Sequence, residues 1–170
     1  IEKCIQAVIA QTVLPLRWVI VSDGSTDGTD EIVKQYAARH SWIELVRTPE
    51  RKERSFAGKV RAFNAGYERV AHLDFELVGN LDADVSLEPD HLEYLLGQFA
   101  QSPRLGVAGT NYVEHGWEKS PKHDYRFADI QDVSGACQLL RRKCYEDIGG
   151  FQPSRVGGVD LIATISARMH

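Results

Sequence analysis

Leu16-Arg17-Trp18-Val19-Ile20-Val21-Ser22-Asp23-Gly24-Ser25-Thr26-Asp27-Gly28-Thr29 is the stretch that decides the fold. Leu16 to Val21 is short, mostly apolar and β-branched at its end, which is the composition of a buried strand. It runs into a loop of small hydroxyl residues with two Asp and two Gly. Asp30 to Arg39 then places Ile32, Val33, Tyr36 and Ala37 on one helical face. Strand, Gly-rich loop and helix make a βα unit, whose loop opens at the C-terminal edge of the sheet, where such sheets bind ligands. Upstream, Ile1, Cys4, Ile5, Val8 and Ile9 predict a helix over 1–11. The chain opens inside that helix without a cap, as a piece cut from a longer protein would.

Downstream the alternation continues. Ile43 to Val46 reads as a strand, Arg47 to Ala57 as a charged loop, and Lys59 to Val70 as a helix with Val60, Phe63, Tyr67 and Val70 on one face. Phe75 to Leu81 is an apolar strand, and Leu92, Leu95, Leu96 and Phe99 mark another helix. After a strand over Leu105 to Thr110 the pattern weakens, and Glu114 to Asp129 reads as a polar excursion over a site. Val133 to Leu140 is a strand led by a small-residue turn, Arg141 to Ile148 a short helix, and Asp160 to Met169 a last helix. Strands alternating with helices predict an α/β fold, with a mostly parallel, Rossmann-like central sheet flanked by helices in three layers (α/β/α). With 170 residues, one domain is expected.

The net charge of −4, from 24 acidic and 20 basic residues, gives no bulk attraction to nucleic acid. Arg141-Arg142-Lys143 reads as a solvated helix start rather than a basic patch. Cys4, Cys137 and Cys144 form no CxxC pair and are expected to be reduced and partly buried, which suits a cytoplasmic chain. No apolar stretch approaches the roughly 18 residues of a spanning helix. That leaves room for no more than a peripheral membrane contact.

The chemistry concentrates in three places. Leu81-Asp82-Ala83-Asp84-Val85 ends an apolar run with two carboxylates one residue apart. At a strand end the backbone turns, so both can converge on one point. There they repel, and one pKa should rise, unless a divalent metal bridges them; Mg2+ typically takes one or two carboxylates plus substrate phosphates. The alternative is a turn in which Asp caps the next helix. Asp23, at the end of its strand, can accept a hydrogen bond from a base N–H or a ribose hydroxyl, whereas Asp27 reads as an Asx turn. Lys59 opens a helix, where it can contact phosphate or simply stand in solvent. Asp160 follows Gly157-Gly158-Val159 and is either a helix N-terminal Asp or a general base for a hydroxyl. His115, His123 and His170 lack zinc spacing with any Cys.

Taken in order, these segments resemble family 2 glycosyltransferases, which have the GT-A fold. Val21 to Thr29 looks like the nucleotide loop, Gly58-Lys59 with Asn64-Ala65-Gly66 the helix motif, and Asp82-Ala83-Asp84 with Pro89-Asp90 the metal-binding D-x-D. Ser134-Gly135-Ala136, Arg141-Arg142 and Ile148-Gly149-Gly150-Phe151 look like the acceptor-side segment. The resemblance implies an inverting, metal-dependent transfer of a sugar from a nucleotide-diphosphate sugar, UDP-sugars favoured, to a carbohydrate or lipid-linked acceptor, as in cell-surface polysaccharide biosynthesis. It implies donor contacts from Asp23, Gly24, Ser25, Lys59, Asp82 and Ala83, and Mg2+ or Mn2+ on Asp84 with Asp82. It makes Asp160 the catalytic base, residues 1–85 a donor half and residues 86–170 an acceptor half. The sequence departs from the family at Ser22, which replaces the first loop Asp, at Val159, which replaces one acid of the base pair, and in lacking the first strand and any Q-x-x-R-W. A non-catalytic nucleotide-sugar-binding domain is the other reading. A haloacid-dehalogenase-type phosphatase, which the paired Asp also resembles, would need that motif on the first strand, and here a complete βα unit precedes it.

Overall fold

The computed structural model describes residues 1–49, 56–110, 133–153 and 158–169. The polar excursion expected over 114–129, the middle of the charged loop expected over 47–57 (residues 50–55), and His115, His123 and His170 lie outside them; the ends of that loop instead belong to a strand, which runs on to Thr48, and to a helix, which starts at Phe56. The first helix, α1 (Glu2–Ile9), buries Cys4, Ile5 and Val8 and leads through Thr12 to Arg17 into strand β1 (Trp18–Asp23). Helix α2 (Thr29–Ala37) follows, with the Thr29 N–H donating to Asp27 Oδ1 at 3.2 Å, the Asx turn expected there. Strand β2 (Ile43–Thr48) pairs with β1 in parallel, Ile20 opposite Leu45. These three elements and α1 share one core of Ile5, Ile20, Val33 and Ile43.

Helix α3 (Phe56–Val70) lies on the other face of β1. Alternation along the strand makes this possible: Ile20 faces α1 and α2, while Val19 and Val21 face Gly66 of α3. A Cβ on Gly66 would stand 3.2 Å from Val21, so glycine lets the helix sit close to the strand. Strand β3 (Leu77–Leu81), helix α4 (His91–Gln101) and the two-residue strand β4 (Val107–Ala108) come next, then β5 (Cys137–Arg141), α5 (Arg142–Asp147) and α6 (Val159–Met169). In this second sheet the order is β3-β5-β4, and β5 runs antiparallel to both neighbours, so β3 and β4 point the same way. The α/β class and the helix-covered parallel strands are as the sequence predicts. β5 is the one described strand that runs against its neighbours, pairing antiparallel with both β3 and β4. The second core joins Val60, Val78, Leu140, Tyr145, Phe151 and Ala163.

Two arginines expected to be solvated are structural clamps. Arg141 donates to the carbonyls of Phe99, Ser102 and Leu105, and its guanidinium lies over the Phe99 ring. Arg142 donates to the carbonyls of Ala71 and Leu73 just beyond α3, where unpaired carbonyls favour a cation, and stacks on Phe75. Only Lys143 is the exposed cation that its sequence context suggests, paired with Asp147 one turn on. Residues of both β1 and β3 line an apolar cavity of about 390 Å³. No helix among the described residues is long and apolar enough to cross a membrane.

Leu140 is fully buried between β3 and β4, opposite Val78 and Val107. Leu140→Ala should therefore lower the unfolding free energy by about 3 kcal/mol. Urea unfolding followed by circular dichroism measures this, with the midpoint moving and the slope unchanged.

Candidate active site

The first turn of α3 organises the site because it touches the C-terminal ends of two strands. The position of a Cβ at Gly58 is 3.7 Å from Asp23 Oδ2 at the end of β1, and the next residue, Lys59, pairs with Asp82 just past β3, Nζ to Oδ1 at 2.7 Å. Asp23 and Asp82 therefore stand at the same edge, and β1 and β3 run in the same direction. Asp23 is further held by the Thr48 hydroxyl, which donates to Oδ1 at 2.5 Å from the end of β2. Gly24, with φ at +75°, starts the loop, and Ser25 follows. Neither lines the cavity described next.

That cavity, of about 340 Å³, lies between α3, the end of β3, the approach to β5 and the start of α6. Lys59, Asn80 and Asp82 line one side, Gly135 and Asp160 another. Its parts are bonded together. Lys59 Nζ donates to Gly135 O at 2.9 Å, Asn80 Nδ2 donates to the same oxygen at 2.6 Å, and the Gly135 N–H donates to Asp160 Oδ2 at 2.9 Å. The Asp82 N–H donates to Ala136 O at 2.9 Å, carrying the β3–β5 ladder one residue past the strand end. The structure thus brings together Lys59, Asp82 and Asp160 from three distant parts of the sequence. Ala83 lines the larger cavity, and Asp84 stands exposed on the turn that closes with Val85 N–H donating to Asp82 O.

The Asp84 charge does act on Asp82, though not as the leading effect. Burial is the main reason the Asp82 carboxyl sits above the usual carboxylate range; Lys59 opposes the rise and Asp84 adds to it. Asp84 makes no hydrogen bond or ion pair with the described residues. Two carboxylates are an all-oxygen donor set, suited to a hard divalent cation that completes its coordination with water or phosphate oxygens. Among the described residues no group of three or more His, Cys, Asp or Glu could hold a metal by itself. The pair therefore fits Mg2+ or Mn2+ shared with a ligand's oxygens and does not fit a closed protein site.

The sequence reading does not single out Asn80, and it takes Gly135 as part of a small-residue turn and of the acceptor-side segment, without a role of its own. The signal for Asn80 was available: an amide inside the apolar run Leu77-Val78-Gly79-Asn80-Leu81 needs partners when half-buried. Gly135 offered no such signal, because its role lies in what its backbone touches.

Beneath the carboxylates, the Cys4 thiol donates to Asp82 O at 3.6 Å, and Cys137 Sγ lies 3.5 Å from His91 Nε2. Burial pushes both thiols up to about 11 and depresses the His91 pKa, so Cys137 and His91 do not form an activated nucleophile pair.

Residues 1–149 match the family model described as glycosyl transferase family 2. Among curated proteins, the chain is 29% identical over 110 residues to a chondroitin synthase of Pasteurella multocida (strain Pm70), matching 65% of this chain and 10% of that protein. It is 30% identical over 175 residues to the glycosyltransferase AglE of Haloferax volcanii, matching 95% of this chain and 54% of that protein. The fold is similar to that of a mannosyltransferase from Pyrobaculum calidifontis solved in complex with GDP-Man and Mn2+ (TM-score 0.70, 24% identity, 96% of this chain and 46% of that one). The chain therefore spans about half, or much less, of the length of the proteins it matches.

Because the thiolate is the reactive form, Cys4 and Cys137 should be nearly inert to a disulfide-exchange reagent at pH 8 in the native chain. Their reactivity should rise only as the pH approaches 11. In guanidinium all three cysteines should react together at the rate of a free thiol.

Proposed function

The chain belongs to glycosyl transferase family 2, and on that premise we propose that it transfers a sugar from a nucleotide-diphosphate sugar to an acceptor hydroxyl with inversion, using Mg2+ or Mn2+. The observation that carries this reading is the 340 Å³ cavity, which has a cation and a carboxylate, Lys59 and Asp82, on one wall and a second carboxylate, Asp160, on another. A pocket of that size, with few polar groups converging on it, suits one sugar unit and its phosphate.

The residues divide the work by position. Asp23 accepts from the nucleobase at the end of β1, and Gly24 and Ser25 shape the loop beside it. Asp82 and Ala83 form the turn along the ribose, with Asp82 shared between ribose and metal, and Asp84 is the main metal ligand. Lys59 faces the diphosphate. When bound, the divalent ion stabilises charge developing on the departing nucleoside diphosphate. Asp160 takes the proton of the acceptor hydroxyl. The acceptor oxygen forms its bond to the anomeric carbon as the bond to the phosphate oxygen breaks, and the nucleoside diphosphate leaves with the electron pair. Attack from the face opposite the leaving group inverts the anomeric centre.

Similarity to a chondroitin synthase supports a carbohydrate acceptor and a place in cell-surface polysaccharide synthesis; a lipid-linked acceptor offers the same hydroxyl chemistry. The mannosyltransferase solved with GDP-Man and Mn2+ supports the metal and puts GDP-sugars beside UDP-sugars as donors to be tested.

A thermal-shift panel of UDP-, GDP-, dTDP- and CMP-sugars with and without Mn2+ tests the donor reading. One nucleotide class should raise Tm by several degrees only when Mn2+ is present, and Asp84→Ala should abolish that increment. No metal-dependent shift with any of the four would refute the donor site. With the donor so identified, Asp160→Asn should leave its affinity within threefold and slow nucleoside-diphosphate release to methyl hexoside acceptors by at least 100-fold. Retained transfer would remove Asp160 as the base.

A further inference from the structure

Three polar side chains of the cavity, Lys59 of α3, Asn80 of β3 and Asp160 of α6, meet at one backbone position. Gly135 donates its N–H to Asp160 Oδ2 at 2.9 Å and accepts at its carbonyl from Lys59 and Asn80 at 2.9 and 2.6 Å. Its neighbour Ala136 accepts from the Asp82 N–H. We infer that Gly135 is the positioning residue of the site: its N–H orients the Asp160 carboxylate, its carbonyl holds Lys59 and Asn80, and its missing side chain leaves the space in which Asp160 lies. This rests on Asp160 being the base.

The space is the sharpest part of the argument. A Cβ at Gly135 would stand 2.9 Å from both Cβ and Oδ2 of Asp160 and 3.1 Å from its Cγ. Contacts that short do not occur, and the Asp160 Cβ is tied to the first turn of α6, so the carboxylate itself would have to move. Glycine is required here for close approach and not for backbone freedom, because the positive-φ glycines of the described residues are Gly24, Gly28, Gly149, Gly150 and Gly158.

The hydrogen bond also divides the carboxylate. Oδ2 is engaged by the Gly135 N–H, while Oδ1 makes no hydrogen bond with the described residues, which leaves one oxygen held and the other open to a hydroxyl. On the carbonyl side, the Lys59 ammonium has three donors. Both Asp82 carboxylate oxygens, at 2.7 and 3.0 Å, and the Gly135 carbonyl at 2.9 Å face them, so the cation is fixed in position at the cavity wall. Gly135 thereby sets the distance between the donor-side cation and the acceptor-side carboxylate. A displacement of about 1 Å in such an arrangement can cost on the order of 100-fold in rate.

Three measurements on the full chain test this. In a 15N-resolved amide spectrum, Asp160→Ala should shift the Gly135 amide proton upfield by more than any residue outside its contacts. An unmoved Gly135 amide overturns the contact, even if no Gly135 variant folds. Gly135→Ala should slow nucleoside-diphosphate release at least 30-fold while leaving the Mn2+-dependent affinity for the nucleoside diphosphate of the donor identified in the panel, by calorimetry, and the donor KM within threefold. Release within threefold of the parent overturns the positioning role and leaves Asp160 as base. Finally, Gly135→Ala combined with Asp160→Ala should be no slower than Asp160→Ala alone, because both remove the same positioned carboxylate. Losses that multiply overturn the inference. If Asp160→Ala alone leaves release unchanged, the base assignment falls and the inference with it.

Discussion

The Lys59 ammonium, shared between the Asp82 carboxylate and the Gly135 carbonyl, is the contact on which the arrangement of the cavity depends. It joins the first turn of α3 to the end of β3 and to the approach to β5, segments that are far apart in the chain. As an isolated ion pair it contributes little to stability, because the two side chains are 45% and 38% exposed and screened by water. Its importance is geometric. A cation there opposes the cost of desolvation and the repulsion from Asp84 that both raise the Asp82 pKa, and it holds the carboxylate at the edge of the sheet.

The surroundings explain why that edge holds its shape. Gln11 bridges α1 and α4, donating to the Ala7 and Glu88 carbonyls while accepting from the Leu92 N–H, so the turn carrying Asp82 and Asp84 is framed by anchored helices. Arg141 and Arg142 fasten the second sheet to the ends of α4 and α3 through carbonyls that would otherwise lack partners. Two neutral thiols and a half-buried imidazole lie under the carboxylates, and none of them adds charge to the site. Rigidity thus comes from backbone carbonyls held by long cationic side chains, and the carboxylates remain at the mouth.

Much of this was legible in the residues. Strand, loop and helix over Leu16 to Ala37 follow from β-branching, from glycine in the loop and from the spacing of Ile32, Val33 and Tyr36, all local properties. Asp82 and Asp84 were legible as a pair because a turn after an apolar strand can only present them at the sheet edge. Arg141 and Arg142 were misread as solvated, since no local pattern shows that a carbonyl 42 or 69 residues away lacks a donor.

Order of elements and the class of fold were therefore determined by the sequence itself, because periodicity and turn chemistry act between near neighbours. The tertiary structure alone decided that β5 runs antiparallel between β3 and β4, that Asn80 turns its amide toward Gly135, and that Asp160 rests against a residue without a side chain. Those outcomes depend on contacts across 25 to 55 residues and more, and on the absence of an atom. Such an absence acquires meaning only when another part of the chain fills the space.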